Sequence, residues 1–169
     1  MSSTFVAILM GSDSDLPVMQ ATIDILKQFN ISYEVRVRSA HRTPDATKAY
    51  VKEAESRGCK VFICAAGLAA HLAGAVAGMT TRPVIGVPVD CGPLQGHDAL
   101  LSTVMMPGGI PVATVAIGKA GAKNAGYLAA QILAVADDSV AEKVKAERIA
   151  NAQALLAKDE ALQARLSAR

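Results

Sequence analysis

Residues 5–10 read FVAILM and residues 11–15 read GSDSD, so an unbroken apolar run ends abruptly in glycine, serines and aspartates. A short apolar run with branched side chains is typical of a strand buried on both faces, as in a parallel sheet. The polar residues predict a turn. Pro17 suits the first turn of a following helix that runs to about Phe29, with Asp15 as its candidate cap.

The same alternation of strand, turn and helix continues along the chain. A helix is predicted from Thr43-Pro44-Asp45, with the threonine hydroxyl as cap, to Gly58, a left-handed C-terminal cap. Further strands are predicted at 33–37, 61–64, 83–87 and 111–117, and further helices at about 72–79, 98–106, 120–136 and 139–166. This pattern predicts an α/β fold with a parallel sheet covered by helices on both faces, which is a three-layer αβα sandwich.

We expect one domain over residues 1–169, with an α/β core at 3–136 and a C-terminal helix at 137–169. The alternation does not require this last helix. It packs either on its own sheet or on a neighbouring subunit, since an apolar stripe alone does not choose between them. Its candidate contact points are Val144, Leu155, Leu162 and Leu166.

The composition excludes several classes of protein. Hydrophobic residues make up 51% of the 169, which excludes intrinsic disorder. The net charge of +2 gives no strong attraction to nucleic acid or to an anionic membrane, and the absence of tryptophan argues against base stacking.

The cysteines and the N-terminus both favour the cytoplasm. Cys59, Cys64 and Cys91 are an odd number without zinc-site spacing, so each is predicted to be a small buried hydrophobic residue with a reduced thiol. Residues 1–4 lack a basic segment and the run 5–10 is too short for a signal peptide or a membrane span, so neither is expected.

Three loops hold the most distinctive polar residues, at 11–15, 39–42 and 66–71. Each follows a predicted strand. Because ligands of open parallel sheets bind beyond the carboxyl ends of the strands, we expect the three loops to build one site.

The first two loops have the chemistry of a phosphorylated, sugar-like ligand. Backbone N–H groups and serine hydroxyls before a helix bind anions, and Asp15 suits ribose hydroxyls; alternatively Ser14 or Asp15 only caps the helix. The guanidinium of Arg42 suits phosphate or carboxylate. His41 is a candidate for proton transfer near neutral pH, or else a surface histidine at a helix start.

Other polar residues carry weaker signals. His71, in the small and apolar third loop, is either a wall of the site or a satisfied, partly buried histidine. His97 is interpreted as structural or interfacial, and Lys119 and Lys123 as a solvated face. The chain has no P-loop, no dinucleotide-binding glycine pattern and no metal-ligand spacing, so no metal site is predicted.

The motifs in these loops resemble the N5-carboxyaminoimidazole ribonucleotide mutase family of purine biosynthesis. The matching segments are 10–15 (MGSDSD), 39–44 (SAHRTP), 66–72 (AGLAAHL) and, more loosely, 109–122, and the likeness covers about residues 4–135. It implies a flavodoxin-like fold, a homo-octamer, and transfer of a carboxylate from an exocyclic nitrogen to a ring carbon through carbon dioxide, without cofactor or metal.

The resemblance also implies residue roles. His41 matches the catalytic histidine, Ser12 and Arg42 the phosphate-binding positions, and Asp15 the ribose-binding position. The walls of the pocket for the base and carbon dioxide match Ser14, Ser39, Ala40, Gly67, Ala69, Ala70, His71 and Leu72.

The chain departs from this family at Leu68, where glycine is common, and at Ala73, where proline is common. Both departures concern the shape of the third loop. Two alternatives stay open. One is a direct carboxylase of aminoimidazole ribonucleotide, although Arg42 and the run 69–72 favour the mutase. The other is a non-catalytic flavin- or nucleotide-binding module, which has no need of a histidine at this place.

Overall fold

The computed structural model describes residues 4–168, so Met1, Ser2 and Ser3, where no signal peptide is expected, and Arg169 lie outside the described residues. The strands are β1 (Phe5–Met10), β2 (Tyr33–Val37), β3 (Cys59–Gly67), β4 (Val84–Val89) and β5 (Ala113–Thr114). The helices are α1 (Leu16–Gln28), α2 (Pro44–Arg57), α3 (Leu72–Ala77), α4 (His97–Val104), α5 (Gly118–Ala134) and α6 (Asp138–Ser167), with a 3₁₀ turn at Asp13–Asp15 before α1.

The five strands form one sheet in the order β2-β1-β3-β4-β5, and every pairing is parallel. Alternate strand residues face two separate cores. One face packs on α1 and α5 through residues such as Val6 and Ile63, and the other on α2 and α3 through residues such as Leu9 and Phe62. The predicted three-layer α/β sandwich is therefore confirmed, and the strand order is that of flavodoxin-like folds.

Most predicted elements are present, but several boundaries differ. The two largest differences are β3, which covers Cys59–Gly67 instead of the predicted 61–64, and β5, which covers only Ala113–Thr114 instead of the predicted 111–117. Pro111 has no N–H to donate, and β5 is an edge strand paired only with Ile85 and Gly86 of β4. Helix α3 ends at Ala77, two residues before its predicted end, and α4 begins at His97, one residue before its predicted start. Gly96, just before α4, has a left-handed backbone (φ 83°).

Helix α6 contacts its own subunit only near its beginning. Val140 is buried, Val144 packs against the same core, and the Tyr127 hydroxyl donates to Glu147 over 3.0 Å. The other three predicted contact points, Leu155, Leu162 and Leu166, are exposed. Within residues 4–168, no helix is long and apolar enough to cross a bilayer.

The contact between α1 and α5 depends on a glycine. A Cβ atom added at Gly126 would lie 2.8 Å from Ile25 Cβ and 3.2 Å from the Thr22 carbonyl oxygen. Thr22 is itself buried and donates its hydroxyl hydrogen bond to the Ala122 carbonyl across the same interface, over 2.6 Å. The lack of a side chain at Gly126 therefore allows the backbones of α1 and α5 to pack closely together.

We expect Gly126→Ala to lower the free energy of unfolding by about 1–2 kcal/mol, because overpacking outweighs the better helix propensity of alanine. Denaturant unfolding of both proteins measures the difference. Gly108→Ala is the control, since a Cβ there meets nothing within 4 Å. Equal stability of Gly126→Ala and the wild-type protein would contradict the proposed tight contact.

Candidate functional site

The carboxyl ends of β1, β2 and β3 open into a cavity of about 430 Å³, which we call the three-loop cavity. Met10, the last residue of β1, pairs with Val37 of β2 on one side and with Ala65 of β3 on the other. The loops after β1 and β2 therefore start at one level, and β3 runs two residues further, to Gly67, before the third loop begins. The residues lining the cavity are Gly11, Ser12, Ser14, Asp15, Ser39, Ala40, His41, Arg42, Ala66, Gly67, Leu68, Ala69, His71, Leu72 and Cys91.

The structure thus brings together His41 and every predicted binding residue except Ala70. Ala70 is 1% exposed and does not line the cavity; its carbonyl accepts a weak 3.4 Å hydrogen bond from the Thr103 hydroxyl. Ala70 therefore lies behind the cavity wall, next to His71. Lys119 and His97 do not line the cavity, and the His97 ring lies 3.0 Å from the Leu94 carbonyl oxygen.

The first loop is held by a reciprocal pair of hydrogen bonds. The Ser12 hydroxyl accepts from the Ser14 N–H over 3.3 Å, and the Asp15 carboxylate accepts from the Ser12 N–H over 3.1 Å. Asp15 stands at the predicted cap position of α1, but its side chain turns back to Ser12 and forms no cap bond with the helix. The capping box stabilises the 3₁₀ turn instead.

Asp15 is a buried carboxylate without an ion-pair partner among residues 4–168, and only 5% of it is exposed. Burial raises the pKa of Asp15, and this effect exceeds the lowering by the Ser12 N–H and by the Arg42 guanidinium. Burial of this charge is therefore unfavourable in spite of the Ser12 hydrogen bond. Hydroxyl groups of a ligand could donate further hydrogen bonds to it.

The second loop is connected to the first by Arg42. Its guanidinium donates to the Gly11 carbonyl over 2.8 Å, and its backbone N–H donates to the Ser39 hydroxyl over 3.1 Å. Arg42 is otherwise exposed toward the cavity, so its remaining donors are available to an anion. Thr43, the predicted cap of α2, stands at the cap position but bonds Ser39 with its hydroxyl instead of the helix.

The two histidines of the cavity contact each other. His41 Nε2 lies 2.8 Å from His71 Nδ1, and the rings meet edge to face with centroids 4.9 Å apart. One ring nitrogen donates and the other accepts, so the tautomer of each histidine fixes that of the other. This contact orients the His41 ring on the wall of the cavity.

Cys91 is the lining residue that the sequence did not indicate. Cys59 and Cys64 are buried as predicted, but Cys91 is exposed, so its prediction as a buried hydrophobic residue is wrong. A Cβ at Gly67 would lie 1.9 Å from Cys91 Sγ, which places the sulfur directly against the third loop. Partial desolvation, followed by the negative charges of Asp15 and Asp98, raises the pKa of the Cys91 thiol.

The position of Cys91 at the cavity follows from the order of the strands and not from a sequence motif. Cys91 follows β4, which lies beside β3 in the sheet, so its loop starts at the same edge as the other three. No three His, Cys, Asp or Glu side chains are grouped as metal ligands anywhere in residues 4–168.

Comparison with known proteins links this cavity to one family. A sequence model described as AIR carboxylase matches residues 5–154. An N5-carboxyaminoimidazole ribonucleotide mutase from Thermotoga maritima is 58% identical over 140 residues, which are 83% of this chain and 81% of that protein. A protein of the same name from Bacillus subtilis is 54% identical over 151 residues, 89% of this chain and 93% of that one.

Solved structures agree with these sequences. The crystal structure of Treponema denticola PurE superimposes with a TM-score of 0.84 at 34% identity, covering 93% of this chain and 97% of that one. A single-substitution variant of PurE2 from the same organism gives a TM-score of 0.86, also at 34% identity, with 94% and 97% covered.

We expect Asp15→Asn to raise the melting temperature at neutral pH, because it removes the charge whose burial is unfavourable while keeping an acceptor for the Ser12 N–H. The gain is largest above the raised pKa of folded Asp15. It disappears as the pH falls toward ~3.9, where the carboxyl is protonated in the unfolded chain as well.

Thermal unfolding of both proteins between acidic and neutral pH measures this difference. Asp159→Asn, on the exposed part of α6, is the control for removal of a carboxylate charge at the surface. A melting-temperature difference for Asp15→Asn that does not change with pH would contradict the unfavourable burial of its charge.

Proposed function

Because the chain belongs to the AIR carboxylase family, we propose that the three-loop cavity binds a ribonucleotide and that His41 is the proton carrier of the family's reaction. The protein is an isomerase of purine biosynthesis that converts N5-carboxyaminoimidazole ribonucleotide to its 4-carboxy isomer. The alternative of direct carboxylation is not favoured, since relatives at 50–58% identity are named as mutases. A bare binding module is not supported by any relative described above.

One observation carries the proposal for the site. The His41 ring, fixed by its 2.8 Å contact with His71, lines the same cavity as the phosphate-type donors of Arg42 and Ser12 and the buried Asp15 carboxylate. Arg42 and Ser12 bind the phosphate and Asp15 accepts from the ribose hydroxyls. The small residues of the third loop then lie against the imidazole ring and carbon dioxide.

The chemistry requires a group that both donates and accepts a proton. In the first step the bond between the exocyclic nitrogen and its carboxylate breaks, carbon dioxide is freed, and the nitrogen takes a proton. In the second step the ring carbon attacks carbon dioxide and then loses its own proton, which restores the aromatic ring. His41 serves both transfers, so the proton balance of the isomerisation is zero. The proposal includes no metal and no cofactor.

The geometry of the cavity also contributes to the rate enhancement. Both fragments are held beside each other between the two steps, which makes the recombination effectively intramolecular. The apolar wall of the third loop keeps water away from the carbon dioxide.

We also propose a homo-octamer that functions in the cytoplasm. The exposed apolar side chains of α6 beyond Arg148 favour burial against other subunits; they are Ile149, Leu155, Leu156, Leu162 and Leu166. The three cysteines are free thiols, as in a reducing compartment. Sedimentation tests the assembly, and a monomer at micromolar concentration would contradict it.

The activity is tested without ATP. Purified protein is given freshly made N5-carboxyaminoimidazole ribonucleotide, and aminoimidazole ribonucleotide with bicarbonate is the parallel substrate. The absorbance of the ring-carboxylated product measures the conversion. We expect fast conversion of N5-carboxyaminoimidazole ribonucleotide and none of the parallel substrate. Conversion of only the second would contradict the isomerase.

We expect His41→Asn to lower kcat by about 10²-fold or more, the usual contribution of a general acid–base group, while ligand affinity is retained. Asparagine keeps a polar group facing His71 but does not exchange a proton. Steady-state kinetics and calorimetric titration with the product measure the two effects separately. Activity near that of the wild-type protein would exclude His41 as proton carrier.

Arg42→Ala is expected to give the opposite pattern. Loss of the guanidinium leaves a phosphate without its charged partner, and affinity is expected to fall by about 2–5 kcal/mol. The same titration measures this loss. Unchanged affinity would show that the phosphate is bound elsewhere.

A further inference from the structure

Thr43 ends the second loop and is the residue just before α2. A threonine at this place usually caps the helix by accepting a hydrogen bond from one of its first free N–H groups. The Thr43 hydroxyl forms no such bond. Thr43 also does not line the three-loop cavity. Neither helix capping nor contact with a ligand in the cavity therefore explains how this hydroxyl is used.

The Thr43 hydroxyl bonds both backbone groups of Ser39. It accepts from the Ser39 N–H over 3.0 Å and donates to the Ser39 carbonyl over 3.2 Å. The Thr43 N–H donates to the same carbonyl over 3.0 Å. Three hydrogen bonds therefore close a turn of five residues, 39–43, and the threonine hydroxyl forms two of them.

The closed turn is fixed to the elements on both of its sides. Before the turn, the Arg38 N–H donates to the Met10 carbonyl at the end of β1 over 2.8 Å. After it, the buried Thr47 of α2 donates its hydroxyl hydrogen bond to the Thr43 carbonyl over 2.9 Å. The ends of the turn are therefore held by the fold, and the bonds of Thr43 hold its middle, residues 40–42, in one shape.

The two functional side chains in this turn are held in different ways. Arg42 has anchors of its own, because its guanidinium donates to the Gly11 carbonyl and its N–H to the Ser39 hydroxyl. In the described part of the chain, His41 forms one hydrogen bond, between its ring and that of His71, and none through its backbone. The position of the His41 ring therefore depends on the shape of the turn more than that of Arg42 does.

We propose that Thr43 is a positioning residue for His41 in the isomerisation. This inference rests on the proposed function of the three-loop cavity. A general acid–base group works only within hydrogen-bonding reach of the atom that gives or takes the proton, and a displacement of about 1 Å can cost about 10²-fold in rate. By closing the turn, the Thr43 hydroxyl keeps the His41 ring against His71 and at one place for both proton transfers. Thr43 itself transfers no proton.

Three variants separate this role from a general loss of hydrogen bonds. Thr43→Val removes the hydroxyl at constant size and shape, and Thr43 is exposed, so no buried packing changes. Thr43→Ser keeps the hydroxyl and is the rescuing variant. Thr80→Val is the matched control, because the Thr80 hydroxyl also donates once and accepts once. It donates to Glu55, near the other end of α2, over 2.7 Å and accepts from the Arg82 N–H over 3.0 Å.

Two measurements on the full-length protein test the proposal. Steady-state kinetics with N5-carboxyaminoimidazole ribonucleotide gives kcat and KM, and calorimetric titration with the product gives affinity and the number of intact sites. Because kcat is expressed per intact site, a partly unfolded sample does not lower it. Deuterium exchange of the ligand-free protein, measured by mass spectrometry on peptides covering 38–47, reports on the turn without any need for activity.

We expect Thr43→Val to lower kcat per intact site by about 10-fold or more, with little change in KM or product affinity. We also expect faster deuterium exchange at 39–43 in this variant. Thr43→Ser and Thr80→Val are expected to stay close to the wild-type protein in both measurements.

Each other outcome overturns the inference. Unchanged kcat per site in Thr43→Val would show that the hydroxyl does not position His41, and a loss of affinity alone would assign the turn to Arg42. An equal loss of kcat in Thr43→Ser or in Thr80→Val would show that the effect is not specific to this hydroxyl. Absence of intact sites in Thr43→Val would make the hydroxyl a requirement for folding. Failure of the wild-type protein to convert the substrate would instead refute the proposed function, while the exchange data would still report on the turn.

Discussion

The site depends on the parallel pairing of β1 with both of its neighbours. Met10 is aligned with Val37 and with Ala65, and its carbonyl accepts from the Arg38 N–H over 2.8 Å. Since a parallel sheet brings the carboxyl ends of its strands to one edge, this register sets the starting height of all three loops. A slip of one residue in either pairing would move His41 or His71 away from the other and turn the buried faces of the strand outward.

The two charged side chains of the cavity do not pair with each other among the ion pairs of residues 4–168. Asp15 is buried and accepts from the Ser12 N–H, while the Arg42 guanidinium donates to the Gly11 carbonyl. Burial of the Asp15 carboxyl raises its pKa, so its charge has a stability cost in the folded protein. If the proposed site is correct, a ribose and a phosphate would offset that cost on binding.

Local patterns predicted the parts of this structure that depend on local chemistry. The apolar run before Gly11 and the left-handed Gly58 are short-range signals, so the layers and most helices were correct. The direction of Asp15, the position of Ala70 behind the wall and the exposure of Cys91 depend on the three-dimensional arrangement of the loops. The short edge strand at Ala113–Thr114 likewise depends on what its neighbour offers, which periodicity does not show.

The close approach of Gly67 to Cys91 has an evolutionary consequence. A Cβ at residue 67 would lie 1.9 Å from Cys91 Sγ and 3.1 Å from the Val89 carbonyl oxygen. A smaller residue at 91 would remove the first of these contacts and leave the second, which belongs to the backbone of β4. Mutational change at position 91 alone therefore does not free position 67 to accept a side chain.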